Sequence, residues 1–253
     1  MPLSKIAKNS ENFIEFKNVS FSYPNSAKKT LDGVSFCVKS GQSVSLVGAN
    51  GAGKSTIIKL LLRFYEPESG AILFCGTPIS TIKIDEWRAM ISYVFQDFAK
   101  YMLPIFDCVS LPNENPNEEK IKNALGTVGF PLEKGNVQLG KDFGGSDLSG
   151  GQWQKLAIAR ALYRTESKIL VLDEPTATID PIAETEMFHN FQRLGAGKTV
   201  FTVTHRLASA VNSDKIIVLE NGCEKEIGTH NELMAQNGIY RAMFDQQAEK
   251  YRQ

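Results

Sequence analysis

The sequence lacks the features that mark disulfide-linked, zinc-binding or membrane-spanning proteins. Its four cysteines, Cys37, Cys75, Cys108 and Cys223, form no CxxC pair and no cluster with histidine. This argues against a disulfide framework or a zinc site and fits thiols in a reducing cytosol. No apolar run approaches the roughly 18 residues that a membrane-spanning helix needs, and the N-terminus, MPLSKIAKNSEN, is polar. We therefore expect this chain by itself to be soluble and unable to form a membrane pore.

The sequence also lacks an excess of charge of either sign. Lys and Arg total 28, as do Asp and Glu, so the bulk charge does not indicate binding to nucleic acid or to an acidic membrane surface. We expect no nucleic-acid partner. With 42% hydrophobic and 22% charged residues among 253, the chain has the composition of a globular protein with one large domain or two small ones.

The first part of the chain has the pattern of a β-rich region around one helix. FIEFKNVSFSY alternates as a half-buried strand does, and SFCVKS, SVSLVG and AILFCG are further β runs. GKSTIIKLLLRFY has the period of a helix, and DEWRAMISYVFQD predicts a short helix and a strand that ends near Gln96. The closely spaced early runs indicate an antiparallel piece that leads into a buried strand. We expect residues 1–11 to be a tail or linker.

The middle of the chain changes character. From about residue 97 to residue 164 no strong strand signal appears, and we predict a mainly helical insertion in which Asn117 caps the helix NEEKIKNALGTVGF. Strand-like runs return in KILVLDE and TVFTVTH, with the helical AETEMFHNFQRL between them. This β-α-β alternation predicts a parallel sheet.

The C-terminal part contains a hairpin signal and a helix signal. KIIVLENGCEKEIG predicts a hairpin around Asn221-Gly222. THNELMAQNG predicts a helix that begins with a capping box of Thr229 and Glu232 and ends at Gly238.

A glycine-rich loop, GANGAGKST, matches the phosphate-loop pattern G-x-x-x-x-G-K-[ST] at every fixed position. A β run precedes this phosphate loop and a helix follows it, so its backbone can wrap phosphate oxygens at the positive end of the helix. We assign Lys54 to the β- and γ-phosphates of a nucleotide and the Ser55 hydroxyl to Mg²⁺. The alternative is a chance glycine-rich turn. The candidate nucleotide-binding residues are Gly48, Asn50, Gly51, Gly53, Lys54, Ser55 and Thr56.

Two carboxylates, Asp173 and Glu174, follow the apolar run ILVL. A buried parallel strand ends at the sheet edge where α/β proteins bind ligands. Asp173 could hold the Mg²⁺ shell and Glu174 could act as the general base for an attacking water. The alternative is a solvated acidic turn after a strand.

Three further residues stand where a nucleotide would need them. His205 ends TVFTVTH and could contact a γ-phosphate, Gln96 ends ISYVFQ and could bind the water or Mg²⁺, and Tyr23 could stack on an adenine ring. Each has an ordinary structural alternative, which for Tyr23 is a core position at the end of a strand.

A second glycine pair opens a helix in DLSGGQWQK, which leads into the strong helix former QWQKLAIARALYR. Glycines at a helix start cost stability and let backbone N–H groups approach an anion closely. Together with the phosphate loop, these residues resemble the nucleotide-binding domain of ABC transporters over nearly the whole chain, from about Phe13 to Tyr251. The motifs keep the order of that family: A-loop (Tyr23), Walker A (Gly48 to Thr56), Q-loop (Gln96), signature (Leu148 to Gln152), Walker B (Ile169 to Asp173), D-loop (Ala177 to Asp180) and H-loop (His205).

This resemblance implies a fold and a domain division. The fold would be α/β, with a RecA-like P-loop NTPase core around a parallel sheet, an N-terminal antiparallel β-subdomain and a helical insertion. Residues 12–96 and 165–253 would form the core with the β-subdomain, and residues 97–164 the helical subdomain that carries the signature motif.

The resemblance also implies how the residues would work. Two chains would form a head-to-tail dimer around two ATP molecules, each held by the Walker A loop of one chain and covered by the signature motif of the other. Ser149, Gly150, Gly151, Gln152 and Asp180 would act across this dimer. Lys54, Gln96, Glu174 and His205 would be catalytic, and Ser55, Gln96 and Asp173 would hold Mg²⁺.

Within the family the chain resembles the ATPase part of exporter-type half-transporters, through IEFKNVSFSYP, VTHRL and GIYRAMFDQQAEKY. This implies a transmembrane domain, fused N-terminally in the native protein, and a place on the cytoplasmic face of the cell membrane. The chain would then be an excised domain or a separate ATPase subunit. Two segments depart from the family pattern: ATID stands where SALD is frequent, and LGKDFGGSD stands where many exporters have a TEVGERG-like segment.

Three rival functions stay open at this point. The chain could be the ATPase subunit of an ABC importer, an ABC ATPase that performs no transport, or a structural module without activity. The exporter-like ends, the single cassette without a coiled-coil insertion, and the intact Lys54, Asp173 and Glu174 favour an exporter ATPase. The sequence is compatible with a homodimer or a heterodimer, and with peptide, lipid-linked sugar, lipid or drug as cargo.

Overall fold

Two β-sheets and eight α-helices make up the part of the chain that the computed structural model describes, residues 11–26, 28–111, 115–174 and 197–250. The chain divides into two compact units. Among the described residues, the first unit contains those up to Ile91, Lys168–Val171 and those from Gly197 onward, and the second contains Ser92–Ser167 and Leu172–Glu174. No helix in the described part is long and apolar enough to cross a membrane.

The N-terminal sheet is antiparallel, as the sequence predicts. Strand β1 (Ile14–Phe21) pairs with β2 (Leu31–Val38) on one side and with β4 (Ser69–Phe74) on the other. Ile14 lies opposite both Val38 and Phe74. Alternate side chains of this sheet, such as Ile14 and Phe16, are buried. The fourth strand, β5 (Thr77–Pro78), pairs with β4, so the sheet order is β2-β1-β4-β5.

The second sheet has six strands, β3 (Ser43–Gly48), β6 (Ile91–Val94), β7 (Ile169–Asp173), β8 (Thr199–Val203), β9 (Lys215–Glu220) and β10 (Cys223–Gly228). Their order is β10-β9-β3-β8-β7-β6. Its central strand β3 runs parallel to both β8 and β9, which confirms the predicted parallel sheet. Strand β8 is buried along its whole length, as parallel strands covered on both faces are. The helix predicted between residues 183 and 194 lies outside the described residues.

The hairpin β9–β10 confirms the prediction from its turn residues. Asn221 and Gly222 have φ values of 51° and 79°, the pair of positive values that a type I′ turn requires. Gly222 is also in close contact with the β2 segment: its carbonyl accepts from Asp32 N at 2.9 Å, and an added Cβ would lie 2.5 Å from Thr30 O. Only glycine therefore fits this turn without displacing the neighbouring chain.

Two of the helices begin at the caps that the sequence predicts. The Asn117 side chain accepts from Lys120 N at 2.9 Å, and Thr229 and Glu232 form the predicted capping box. The backbone N–H of Thr229 donates to the Glu232 carboxylate and lowers its pKa from the usual value. The helices are α1 (Lys54–Leu61), α2 (Ile84–Ala89), α3 (Ile105–Ser110), α4 (Glu118–Thr127), α5 (Gly150–Tyr163), α6 (Leu207–Ala210), α7 (His230–Gln236) and α8 (Ile239–Lys250).

One predicted helix end is displaced. Helix α7 ends at Gln236 and not at Gly238; its C-cap is Asn237, whose φ of 56° and ψ of 34° place it in the left-handed region. Asn tolerates this conformation better than other residues with side chains, so it takes the position that we assigned to the glycine.

The second unit is mainly helical, as predicted for the insertion. Helices α3, α4 and α5 supply its core, with buried Ile105, Ile121, Leu125, Trp153 and Leu156. Extended pairing in the described part of residues 97–164 is limited to two isolated bridges, Pro104 with Gln138 and Leu139 with Ser146. The functional subdomain boundaries at residues 96/97 and 164/165 remain a prediction.

Candidate functional site

The phosphate loop leaves the end of β3 through glycines that no other residue could replace without strain. Gly48 has a φ of 147°, and an added Cβ there would lie 2.2 Å from Leu219 O on the neighbouring strand. Gly53, with a φ of 106°, stands immediately before helix α1. Its added Cβ would lie 2.5 Å from a methyl of Leu31. The loop is thus held close to the sheet and delivers the chain into the start of α1.

Lys54 is buried within this loop. Its side chain is 6% exposed, and Nζ donates to Gly48 O at 2.8 Å and to Ala49 O at 3.0 Å. Ser55 and Thr56 follow in the first turn of α1, where the helix dipole favours negative charge. A cation, a hydroxyl and a helix start therefore converge on the mouth of the loop, which suits a phosphate group.

Tyr23 lies beside the same helix start. Its hydroxyl forms a hydrogen bond with Thr56 Oγ1 at 3.1 Å, and its ring meets those of Phe21 and Tyr65 edge to face. Lys59 Nζ lies 5.3 Å from the centroid of its ring. The residue is packed at a strand end and also adjoins the phosphate loop, so its stacking on adenine stays a prediction.

His205 follows β8 at the same sheet edge as the phosphate loop. Because Leu46 of β3 pairs in parallel with Val203 of β8, the segments after these two strands leave the sheet at neighbouring points. His205 is exposed, and the turn around it is held by the buried Thr204, whose Oγ1 accepts from Arg206 N at 3.0 Å. The first unit thus brings together the phosphate loop, Tyr23 and the strand end that carries His205.

The acidic pair and Gln96 belong to the second unit. Asp173 is the last residue of β7 and is 8% exposed. Glu174 follows with a φ of 47°, a left-handed conformation that costs a residue with a side chain about 1–3 kcal/mol when it is strained. Gln96 is exposed and stands two residues beyond β6, the hydrogen-bonded neighbour of β7. Such an outlier at the end of a buried strand supports a functional role for Glu174.

The signature segment, Leu148–Gln152, starts helix α5. Ser149 is its N-cap: Oγ accepts from Gln152 N at 3.3 Å, and Gln152 Oε1 accepts from Ser149 N at 3.1 Å. Gly150 and Gly151 form the first two helical positions. Among the described residues, a Cβ added to either would have no neighbour within 4 Å beyond the adjoining residues and the backbone of the helix itself. Packing within the described part of the chain therefore does not require glycine at these positions. Glycine does allow a ligand to approach the backbone at the N-terminus of α5 closely.

Several supporting contacts were not visible in the sequence. On α5, the Arg160 Nε donates to Cys108 O at 2.6 Å and the guanidinium lies 4.6 Å over the ring of Tyr101. On α8, the Gln247 side chain bonds to the backbone on both sides of Arg206. Neither residue belongs to a motif, and a pattern read along the chain carries no signal for such long-range pairs. Asp180 of the predicted D-loop lies outside the described residues.

The predicted magnesium ligands have suitable chemistry. The hydroxyl of Ser55 and the buried carboxylate of Asp173 are oxygen donors, which Mg²⁺ prefers. No three His, Cys, Asp or Glu side chains cluster as metal ligands in the described residues. Mg²⁺ bound to a nucleotide needs no such cage, because it takes one or two protein oxygens together with phosphate oxygens.

The sequence of the chain is similar to those of known proteins. The family model described as ABC transporter matches residues 31–177. A probable multidrug resistance ABC transporter ATP-binding/permease protein of Bacillus subtilis (strain 168) is 37% identical over 92% of this chain and 40% of its own length. The ATP-dependent lipid A-core flippase of Saccharophagus degradans is also 37% identical, over 92% of this chain and 40% of its own. This chain therefore spans well under half of these relatives.

A solved structure extends the similarity to the fold. A bacterial Atm1-family ABC exporter with ATP bound matches 96% of this chain and 44% of its own length, with a TM-score of 0.85 and 30% sequence identity. The predicted α/β fold, with a P-loop core and an antiparallel N-terminal sheet, is confirmed.

Proposed function

The chain belongs to the ABC transporter family, and we propose that it is the ATP-hydrolysing domain that powers an exporter through ATP-driven pairing of two such domains. The relatives are ATP-binding/permease proteins and flippases, which favours an exporter over an importer subunit or an ATPase without transport. Relatives named for multidrug resistance, subtilin transport and lipid A-core match about equally well, at 37%, 38% and 37% identity. The ATPase domain is therefore common to exporters of unlike cargo, and the choice of cargo belongs to the membrane domain.

The open start of α5 is the observation that carries the pairing. The described part of the chain has two glycine-bearing helix starts that suit phosphate. Of these, the phosphate loop needs its glycines for contacts with other described residues, and the start of α5 does not. Gly150 and Gly151 have space around them, as expected if they approach a nucleotide held by another chain. ATP that bridges two chains can close them, and hydrolysis removes the bridge.

The catalytic assignments follow from the chemistry of each residue. Lys54 would bind the β- and γ-phosphates, Glu174 would accept a proton from the attacking water, and His205 would contact the γ-phosphate. Ser55, Gln96 and Asp173 would hold Mg²⁺, which neutralises charge on the phosphates when bound. The proposed nucleotide contacts also include Tyr23, Asn50 and Thr56 in the same chain and Asp180 across the dimer.

The proposed partners are a second nucleotide-binding domain, identical or different, and a transmembrane domain. In the relatives the ATP-binding part is joined to a permease in one protein, so we place this domain at the cytoplasmic face of the membrane. Gln96 would pass the state of the nucleotide to a cytoplasmic helix of that transmembrane domain.

The purified chain tests this function directly. We expect Mg·ATP hydrolysis whose specific rate rises with protein concentration, because the working unit is two chains. The measurement is phosphate release at a series of protein concentrations, with light scattering for the dimer. A rate per chain that is independent of concentration while the protein remains monomeric would contradict the pairing, and no hydrolysis at high protein concentration would contradict the ATPase assignment.

Lys54→Ala should strongly weaken nucleotide binding. A hydrogen bond to a charged group contributes about 1.5–3 kcal/mol, so loss of the ammonium should weaken ATP binding roughly 10- to 100-fold. Titration with a fluorescent ATP analogue measures this. Lys39→Ala is the control, since Lys39 is an exposed lysine at the end of the β2 segment and lies outside the loop. Equal affinity of Lys54→Ala and the unmodified chain would show that the loop does not bind phosphate.

A further inference from the structure

We propose that Gln247, on the C-terminal helix α8, is a positioning residue that fixes the loop of His205 for catalysis. The inference rests on the proposed ATPase function and adds a residue outside the phosphate-binding motifs. Gln247 Nε2 donates to His205 O at 2.6 Å, and its Oε1 accepts from Leu207 N at 2.9 Å. One side-chain amide thus satisfies the backbone on both sides of Arg206.

This contact differs from the others that hold the loop. Thr204 Oγ1 accepts from Arg206 N at 3.0 Å and forms a hydrogen bond with Ser209 Oγ, also at 3.0 Å. These are contacts between residues close in sequence, and they give the turn its local shape. Gln247 is 42 residues beyond His205, so its amide ties that turn to a separate element and fixes where the turn stands.

Helix α8 is itself firmly anchored. The Glu226 carboxylate, from β10, accepts from Ile239 N at 2.5 Å and from Tyr240 N at 2.9 Å, which caps the start of the helix. Tyr240 is fully buried, and its hydroxyl forms a hydrogen bond of 2.8 Å with His230 Nδ1. Burial raises the pKa of Tyr240 to about 12, so the hydroxyl stays protonated at neutral pH.

The same hydrophobic cluster supports both ends of this connection. Tyr240 belongs to the same buried cluster as Leu207, which follows the His205 turn, and Val47, which precedes Gly48 of the phosphate loop. The cluster therefore holds α8 in place relative to β3, the strand that leads into the phosphate loop. Through its hydrogen bond to His205 O, Gln247 holds the His205 loop in place relative to both. Because His205 stands on this loop, a shift of the loop backbone would also shift its side chain.

Loss of this amide should lower the rate of hydrolysis and leave nucleotide binding intact. A displacement of about 1 Å at a group that contacts the reacting phosphate can cost up to about 100-fold in rate. For Gln247→Ala, in which the local contacts of Thr204 remain, we expect kcat to fall roughly tenfold and KM to change less than about twofold. For Gln247→Glu, kcat should fall at least as far as for Gln247→Ala, because a carboxylate can still accept from Leu207 N but cannot donate to His205 O.

The matched control is Gln246→Ala, an exposed residue on the same helix whose removal should change neither kcat nor KM. A double-mutant comparison separates positioning from general stability. If Gln247 acts through His205, Gln247→Ala should cost much less in single-turnover hydrolysis when His205→Ala is already present. Thermal unfolding of each variant shows whether the folded fraction has changed.

Each outcome bears on the inference. A rate defect that disappears in the His205→Ala background, with the unfolding temperature of Gln247→Ala near that of the original chain, supports it. An unchanged kcat, or equal rate losses with and without His205, overturns it while the ATPase function stands. If the original chain itself does not hydrolyse ATP at high protein concentration, the proposed function fails, and the inference fails with it.

Discussion

Glu174→Gln should reduce ATP hydrolysis roughly 10²- to 10⁴-fold, the contribution typical of a positioned general base. The amide has the shape of the carboxylate but cannot accept a proton from water at neutral pH. Binding of Mg·ATP should persist, because Lys54 and the phosphate loop are unchanged. The variant should therefore accumulate as an ATP-bound dimer, which light scattering or gel filtration with millimolar ATP can detect.

The backbone at Glu174 makes this substitution interpretable. The residue has a φ of 47°, and Gln tolerates that conformation no better and no worse than Glu, since both have an unbranched Cβ. Folding should thus be little affected, and a loss of rate can be assigned to the lost carboxylate. Glu166→Gln provides the matched control, because it makes the same chemical change at an exposed carboxylate just before β7.

Two results would count against the role of Glu174. Hydrolysis by Glu174→Gln at the rate of the Glu166→Gln control would mean that another group accepts the proton. A Glu174→Gln variant that stays monomeric with millimolar ATP would mean that ATP binding does not drive pairing of this chain.

The elements that the sequence predicted well are those that local chemistry specifies. Asn221 and Gly222 allow positive φ values, and they form the hairpin turn. The Asn117 cap and the capping box of α7 each depend on residues three positions apart. The phosphate loop likewise carries its own requirement for glycine, although the contact that excludes a Cβ at Gly48 comes from Leu219, far along the chain.

The features that the sequence did not predict depend on distant partners. After helix α7, a Cβ added to Gly238 would collide with the Glu226 carboxylate from β10, a contact that no local pattern shows. The contacts of Arg160 with Cys108 and of Gln247 with His205 join elements that no periodicity connects. For the signature segment the sequence predicted a helix start. The sequence did not show that neither glycine has a close neighbour elsewhere in the described part of the chain.

Substitution of Ser149 tests whether the signature segment works on a nucleotide held by another chain. Ser149→Arg should leave ATP binding by a single chain unchanged and should weaken dimerisation. Hydrolysis should fall roughly 10²- to 10³-fold, as when one preorganised donor is lost from a catalytic site. However, arginine also removes the N-cap of α5, at a cost of about 1 kcal/mol in folding free energy. Stability and pairing would then change together.

Two further substitutions separate these effects, because Asp and Asn are both good N-caps. Ser149→Asp should keep the stability of α5 but place a negative charge against the partner's γ-phosphate, so hydrolysis and dimerisation should fall as far as with arginine. Ser149→Asn keeps the cap without the charge, so its hydrolysis and dimerisation should fall less than those of Ser149→Asp. Thermal unfolding, nucleotide titration at low protein concentration and phosphate release distinguish the three variants. A collapse of ATP affinity in the dilute Ser149→Asp chain would show that the signature segment acts on its own chain's nucleotide.

Mixing two impaired variants gives the sharpest form of this test. Ser149→Asp keeps an intact phosphate loop, and Lys54→Ala keeps an intact signature segment. A dimer of one with the other contains one complete site, formed by Lys54 of the first chain and Ser149 of the second. We expect the mixture to hydrolyse ATP faster than either variant does alone. If the signature segment served the nucleotide of its own chain, every site in the mixture would be defective, and activity would stay at the level of the separate variants.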